Sequence, residues 1–446
     1  METLPGGRPP DRTGGTHTIR RRLALGKIAG TATMATALVA CGEKETVAPA
    51  PSSGRVELRL HGSSDGAQGD YWPKVASGFN ARQSRIHVTF ESWLPDKGPV
   101  VLGAAGTLGD VMRLVTASEY SQVAAKGLLK DLGPLIAEDK YDLKQFYAAA
   151  VETLRFRSKQ YGLPHIAHPG FCGIFANLDV LAQAGLPEPD ENAWTLGPFK
   201  MFAGQLSGAR DGSRWGLWPA TGIQHVTVAA RAHGGETLSR DGKKALIAEP
   251  ASLQGVQYLA DLILKERAAP PPGALQGSDA QNLLSGQVAM VWTNFGIVNT
   301  LKKQAQGTHW KVFMSPKGPK SRGFFMGVDA ASMNAATTHP DAAFELVKYV
   351  VSKDVCLGWF DVGFAPGGRP DTWNDPKITA DPAFKVFARA MNEAAPLNLP
   401  DNGLITDFNA AVTRELGAIW SGQASVKDAT EAARRAAQEV LDRSTG

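Results

Sequence analysis

The chain has 446 residues, with 47 basic and 43 acidic side chains besides nine histidines, and a formal net charge of +4. The first 40 residues carry six basic and two acidic groups, so the whole excess sits there and the rest of the chain is near neutral. A near-neutral remainder offers no basic face for nucleic acid, and about 390 residues are too many for one ordinary core and suit two domains.

At the N-terminus, Arg20-Arg21-Arg22 and Lys27 precede an uncharged run over residues 28–40. A basic stretch followed by a short apolar run and small residues is the pattern of an export signal. The run is shorter than the roughly 20 residues a membrane-spanning helix needs. Leu38-Val39-Ala40-Cys41 resembles the bacterial lipobox, in which the cysteine becomes the acylated first residue of the mature chain. Residues 1–40 are therefore expected to be a signal peptide and Cys41 the lipidation site. Arg21-Arg22-Leu23-Ala24-Leu25 also resembles a twin-arginine export signal, with Ala24 where an aromatic is usual. Residues 41–54 are rich in Pro, Ala and Ser and read as a flexible tether. With Cys41 acylated, Cys172 and Cys356 remain, and two buried thiols are expected rather than a disulfide, whose Cα geometry sequence does not show.

The folded part opens as an α/β unit. Val56, Leu58 and Leu60 alternate with charged neighbours at the period of a strand. Trp72, Val75, Ala76 and Phe79 then form one apolar helix face, with Asp70 as the cap and Pro73 in the first turn. Ile86, Val88 and Phe90 alternate as a second strand, which predicts a parallel pair with a right-handed crossover. Further on, Ala343, Phe344, Leu346, Val347 and Val350 share a helix face behind the start signal Thr338-His339-Pro340-Asp341. A last helix with Ala429, Ala432, Ala433, Ala436, Ala437 and Val440 on one face starts at Ser425-Val426-Lys427-Asp428.

Catalytic constellations are few. Gly62-Ser63-Ser64-Asp65-Gly66 fits G-x-S-x-G after a strand, which in a hydrolase exposes the serine as nucleophile. The competing reading is a tight strand-to-helix loop, since Gly/Ser turns match this pattern by chance. His165 and His168 stand three apart, but Pro164 and Pro169 flank them and no nearby carboxylate completes a metal set. There is no phosphate loop and no dinucleotide fingerprint. No cofactor, no metal and no enzymatic activity are expected.

Several segments together resemble one family. Ala104-Ala105-Gly106-Thr107-Leu108-Gly109-Asp110-Val111 is similar to the "AAGT.PDV" stretch of bacterial solute-binding proteins of ABC importers, the carbohydrate-binding group that includes maltose-binding protein. Lys126-Gly127-Leu128-Leu129-Lys130-Asp131-Leu132, Tyr161-Gly162-Leu163-Pro164, and Asn177-Leu178-Asp179 with Ala184-Gly185-Leu186-Pro187 and Trp194 follow in the family's order. Ser285-Gly286-Gln287-Val288-Ala289-Met290, Pro316-Lys317-Gly318-Pro319 and Gly422-Gln423-Ala424-Ser425 continue it, so the resemblance spans about residues 55–443. Gly109 stands where the family usually has proline.

The resemblance implies an α/β, two-lobed periplasmic-binding-protein fold with a hinge and a ligand cleft between the lobes. Carried onto this chain, it puts residues 55–165 and 313–351 in lobe I, and residues 166–312 and 352–446 in lobe II. It implies an extracytoplasmic, lipid-anchored monomer that delivers a carbohydrate to the transmembrane subunits of an ABC importer. A sugar presents hydroxyls and apolar C–H faces, so its site needs aromatic surfaces and convergent hydrogen-bonding groups. Trp93, Trp218, Trp292, Asn294 and Phe295 are the expected aromatic and loop contributors, with Trp93 and Trp292 also open to a packing role. Trp215 is a weaker candidate, and Trp194, Trp359 and Trp420 read as packing. From strand ends, where ligands of open sheets gather, come Ser63, Ser64, Asp65, Thr116, Ser118, His168 and Asp329. Arg369 matches the family's "P.R" loop, and Asp65 or Asp329 with Arg369 is expected to orient hydroxyls through charged hydrogen bonds. Asp110 reads as a brace for its turn. Two alternatives stand beside this reading: a receptor for another polar solute such as a polyamine or peptide, and a secreted serine hydrolase using Ser64.

Overall fold

The structure is a computed structural model, described over residues 54–63, 67–93, 98–208, 214–444. The expected signal peptide, the expected lipidation site Cys41 and all but the last residue of the expected tether lie outside these residues, as do Ser64 and Asp65 of the first loop. Eleven strands appear in chain order: β1 (Val56–Gly62), β2 (Ile86–Ser92), β3 (Val111–Val115), β4 (Arg155–Phe156), β5 (Lys159–Gln160), β6 (Gly162–His168), β7 (Gly173–Asn177), β8 (Met290–Thr293), β9 (Trp310–Met314), β10 (Phe325–Met333) and β11 (Ala395–Pro396).

They make two main sheets. In the larger, β1 pairs in parallel with β2 on one side and β3 on the other. β10 runs antiparallel to both β3 and β6, so β1, β2, β3 and β6 all end on the same rim. The expected strand–helix–strand unit is present, with Leu58, Leu60, Ile86 and Val88 buried beside Trp72, Val75, Ala76 and Phe79. The connecting helix, Ala67–Arg82, begins earlier than the sequence suggested, so Pro73 lies inside it and Asp70 sits in its first turn. The smaller sheet has β7 at its centre, antiparallel to β8 and β9. One of its faces packs with the core of the large sheet through Phe175, Val291 and Val312. The other, with Ile174, Trp292 and Phe313, packs under the helices Leu196–Leu206, Ile223–Ala232, Pro250–Leu264 and Ile405–Trp420. Each sheet thus anchors its own lobe.

Sheet membership moves two of the expected boundaries. Phe313 pairs with Ile174 inside the smaller sheet, so the return to the large sheet falls between Met314 and Phe325. Trp359, on the helix Lys353–Asp361, packs edge-on against Trp72 and Tyr71, so the stretch just after residue 352 stays with the large sheet. Sequence motifs mark order along the chain, whereas these boundaries depend on which apolar face each segment covers. The start signals hold: Pro340 occupies the first position of the helix Pro340–Val350, and Ser425 Oγ accepts the backbone N–H of Asp428 at 3.1 Å. Cys172 and Cys356 are buried free thiols.

Candidate functional site

The common rim of β1, β2, β3 and β6 brings Ser63, Trp93, Thr116, Ser118 and His168 to one edge of the large sheet. Trp93 is tied there because its N–H donates to the Gly62 carbonyl at 2.9 Å. Its half-buried ring meets His61 edge-on with centroids 5.2 Å apart. His61 is itself fixed. Its Nδ1 accepts the Gly109 N–H at 3.1 Å, so Nε2 carries the proton and donates to Glu91 Oε2 at 2.7 Å. Burial holds the imidazole below its ordinary pKa despite that carboxylate, so it is neutral at pH 7. This geometry accounts for Gly109. A proline there has no N–H to give His61, and even a Cβ would lie 2.9 Å from the Arg59 carbonyl and from the His61 ring. Asp110 braces the same turn, accepting from the Arg59 N–H at 2.9 Å and the Thr337 hydroxyl at 2.7 Å.

His168 ends β6 with its ring laid over Gly327, where an added Cβ would come 2.6 Å from the ring. Its Nδ1 accepts the Gly170 N–H at 3.2 Å, which leaves Nε2–H as a donor. Burial lowers its pKa while Asp329 acts in the opposite sense. Asp329 lies beside it on β10, where both Nε and Nη2 of Arg113 donate to Oδ2, at 3.0 and 2.6 Å. Only Oδ2 is engaged, so Oδ1 has no partner among the described residues. Glu119 completes this layer. Burial raises its pKa, and one carboxylate oxygen accepts the Val115 N–H at 3.2 Å. The floor under the rim therefore offers a neutral imidazole N–H and carboxylate oxygens around one arginine.

From the side of the smaller sheet, Phe295 reaches the rim and meets His168 edge-on at 5.3 Å. Asn294 caps the short helix Phe295–Ile297, its Oδ1 accepting from the Gly296 N–H at 2.8 Å. Trp218 is half-buried, and its backbone N–H donates to the Met290 carbonyl beside the start of β8. A cavity of about 50 Å³ joins the two sides, running from Ala117 next to Ser118 to Gln224 and Thr227 on the helix Ile223–Ala232. Thr237, Asn398 and Asn409 add amides and a hydroxyl, and Phe325 and Phe408 add aromatic wall. None of its lining side chains is ionisable. Sequence reasoning missed these residues because nothing local marks them; they meet only where distant segments close on one another.

Trp292, Thr116 and Arg369 are engaged by neighbours within the fold. Trp292 takes the packing role. It is 2% exposed, its Nε1–H donates to the Phe171 carbonyl at 2.8 Å, and its ring meets Phe199 and His225 edge-on. Thr116 is buried and its hydroxyl accepts the Val328 N–H, so it braces β3 against β10. Asp329 is held by Arg113, and Arg369 is held elsewhere. That guanidinium donates twice to Asp371, at 2.8 Å each, and to Gln145, and it stacks over Phe146. Ser118 is exposed at the rim, where its carbonyl accepts the Thr406 hydroxyl at 3.1 Å. Among the described residues no cluster of His, Cys, Asp and Glu is arranged to hold a metal, and no helix is long and apolar enough to cross a membrane.

The sequence profile of the family described as "Bacterial extracellular solute-binding protein" matches residues 63–355. No curated protein sequence gives a significant match. Among solved structures, the cyclic alpha-maltosyl-1,6-maltose binding protein from Arthrobacter globiformis is similar at TM-score 0.75 and 21% identity, over 87% of this chain and 99% of that one. An ABC substrate-binding protein from Listeria monocytogenes, in complex with cycloalternan, reaches 0.73 at 18% identity over 87% and 99%. The GacH receptor of Streptomyces glaucescens, solved unliganded and with acarbose, reaches 0.70 at 19% identity over 88% and 100%. At such identities the likeness is one of fold, and the fold is the two-lobed one.

Proposed function

The chain belongs to the bacterial extracellular solute-binding protein family, and on that footing we propose that it captures a carbohydrate between its lobes and delivers it to an ABC importer. The observation that carries the reading is the uncharged junction cavity, lined by Gln224, Thr227, Thr237, Asn398, Asn409 and two phenylalanines. Amides, hydroxyls and aromatic faces suit a neutral hydroxylated solute, whereas a polyamine needs convergent carboxylates. At about 50 Å³ the cavity has room for water rather than a sugar ring. Entry therefore requires the lobes to part, and the hinge is assigned to the crossings 168–173, 314–325 and 397–404. Ser63, Trp93, Ser118, Trp218, Asn294, Phe295, His168 and Asp329 are the proposed ligand contacts, with Ser64 and Asp65 in the adjoining loop. The similar solved proteins, one a cyclic alpha-maltosyl-1,6-maltose binding protein and the others in complex with cycloalternan or acarbose, support the same class of ligand.

The protein is read as a receptor without catalytic activity, held outside the cytoplasm by acylation at Cys41, acting as a monomer on the importer's two transmembrane subunits. A single acyl chain anchors only marginally, so stable attachment needs more than one. A thermal-shift screen against mono- and oligosaccharides, spermidine and short peptides tests the ligand class. A ligand at 100 times its dissociation constant adds about 2.7 kcal/mol of stability. A response confined to sugars is expected, and a response confined to spermidine or peptides overturns the carbohydrate reading. Ser64→Ala tests the hydrolase alternative, since a nucleophile's loss abolishes turnover of an ester substrate. Membrane fractionation of Cys41→Ala tests the anchor, which is refuted if the variant still sediments with membranes.

A further inference from the structure

Behind the crossing at 397–404 lies a second cavity, of about 380 Å³, which shares only Leu397 and Asn398 with the uncharged one. One wall comes from the large-sheet side: Glu152 and the β4–β5 hairpin with Arg155 and Arg157. The opposite wall is the turn bearing Arg240, Asp241 and Lys243, on the side of the smaller sheet. Both walls grip the crossing itself. Arg157 donates through Nε and Nη2 to the Asp401 carbonyl, at 3.1 and 2.7 Å. From the other side the Asp401 N–H donates to the Gly242 carbonyl at 3.1 Å, and a Cβ on Gly242, whose φ is +71°, would fall 2.2 Å from the Leu399 carbonyl. The two walls are joined directly by Arg240 Nη2 and Glu152 Oε1, 3.2 Å apart.

Positive charge is under-compensated here. Arg155, Arg157, Arg240 and Lys243 share the cavity with only Glu152, Asp241 and Asp401. Glu152 serves two guanidiniums, Arg240 at 3.2 Å and Arg155 at 3.7 Å. Asp241 is turned onto its own loop, accepting the Ser239 hydroxyl at 2.5 Å and the Lys243 backbone N–H at 3.2 Å. The Lys243 ammonium has no ion-pair partner among the described residues. The hairpin also presents Arg157 and Ser158 at φ +48° and +66°, positions that two-residue hairpin turns normally give to Asn and Gly. The turn therefore carries backbone strain while its arginine points at the crossing.

We propose that this cavity is a binding site for a small phosphate-type dianion, free or carried as a monoester, held between Arg155 and Arg157 on one wall and Arg240 and Lys243 on the other. Guanidinium groups bind such oxygens in pairs, and the volume falls in the range of small-ligand sites. Leu397 and Asn398 line both this cavity and the uncharged one, whereas Arg155, Arg240 and Lys243 line only this one, so variants at those three separate the two sites.

The test is calorimetric titration of the full chain with inorganic phosphate and, separately, methyl phosphate, against a chloride background of matched ionic strength. Saturable binding of at least one is expected, and the preferred probe separates a free anion from a phosphomonoester. The double variant Arg240→Gln/Lys243→Gln is expected to weaken it at least tenfold. Arg155→Gln, an exposed position whose only ion pair among the described residues is with Glu152, provides a second, independent loss should the double variant fail to fold. No saturable heat from either probe overturns the proposal, as does unchanged affinity in the folded variants.

Discussion

Replacing Gly109 by proline, the residue usual in its family at this place, should destabilise this chain. Among the described residues the Gly109 N–H is the only donor to Nδ1 of His61, a residue 3% exposed. Removing it leaves a buried acceptor unpaired, at a cost of about 1–3 kcal/mol. The new Cβ would also sit 2.9 Å from the Arg59 carbonyl and the His61 ring, and overpacking of that kind costs about 1–3 kcal/mol more. The total expected for Gly109→Pro is roughly 2–6 kcal/mol. Gly109→Ala keeps the N–H and suffers only the crowding, so the difference between the two variants isolates the hydrogen bond. In His61→Phe, which has no acceptor, that difference should shrink toward zero. Urea unfolding followed by circular dichroism reads all four, with an unchanged slope as the condition for comparing midpoints. Equal stability of Gly109→Pro and Gly109→Ala in the presence of His61 would refute the account.

Gly327→Ala should push the His168 ring off its seat and weaken ligand binding roughly tenfold or more, the loss of a hydrogen bond of about 1–3 kcal/mol. Titration with whichever sugar shifts the melting temperature checks this, and unchanged affinity would remove His168 from the site. Trp218→Ala should cost about tenfold in affinity with little loss of stability. Trp292→Ala should cost about 3–5 kcal/mol of stability instead, and the reverse pattern in urea unfolding and titration would exchange their roles. Acid should weaken the fold through two buried imidazoles. Burial holds His165 at about 3 and His225 at about 4, against about 6.5 in the unfolded chain. Because these pKa values are depressed, the stability from neutral burial is complete above about pH 6.5. It declines as the pH falls and is gone once the pH passes below the folded values. His225→Gln should flatten the fall in urea midpoint between pH 6.5 and 4, and an unaltered slope would contradict the burial argument.

Much of the architecture is legible one segment at a time, because alternation and helical spacing are local consequences of one face being buried. Leu58 and Leu60, Trp72 to Phe79, and the face from Ala343 to Val350 are buried as their spacing requires. Ser425 as a cap is equally local, since its short side chain bonds to backbone three residues away, whereas Asp110 braces its turn through Arg59, 51 positions away. The ordered motifs likewise sufficed to point to the family, whose profile covers residues 63–355. Tertiary structure decided what depends on partners far along the chain. Trp218 and Trp292 look alike in sequence, yet only the packing of the helices over the smaller sheet buries one and leaves the other half-exposed. Asp329 is claimed by Arg113, 216 positions away, and Arg369 by its near neighbour Asp371, because a charge pairs with whatever the fold brings within reach. The uncharged cavity beside Ser118 gathers residues from 117 to 409, and no spacing rule links side chains that only the closing of two lobes brings together.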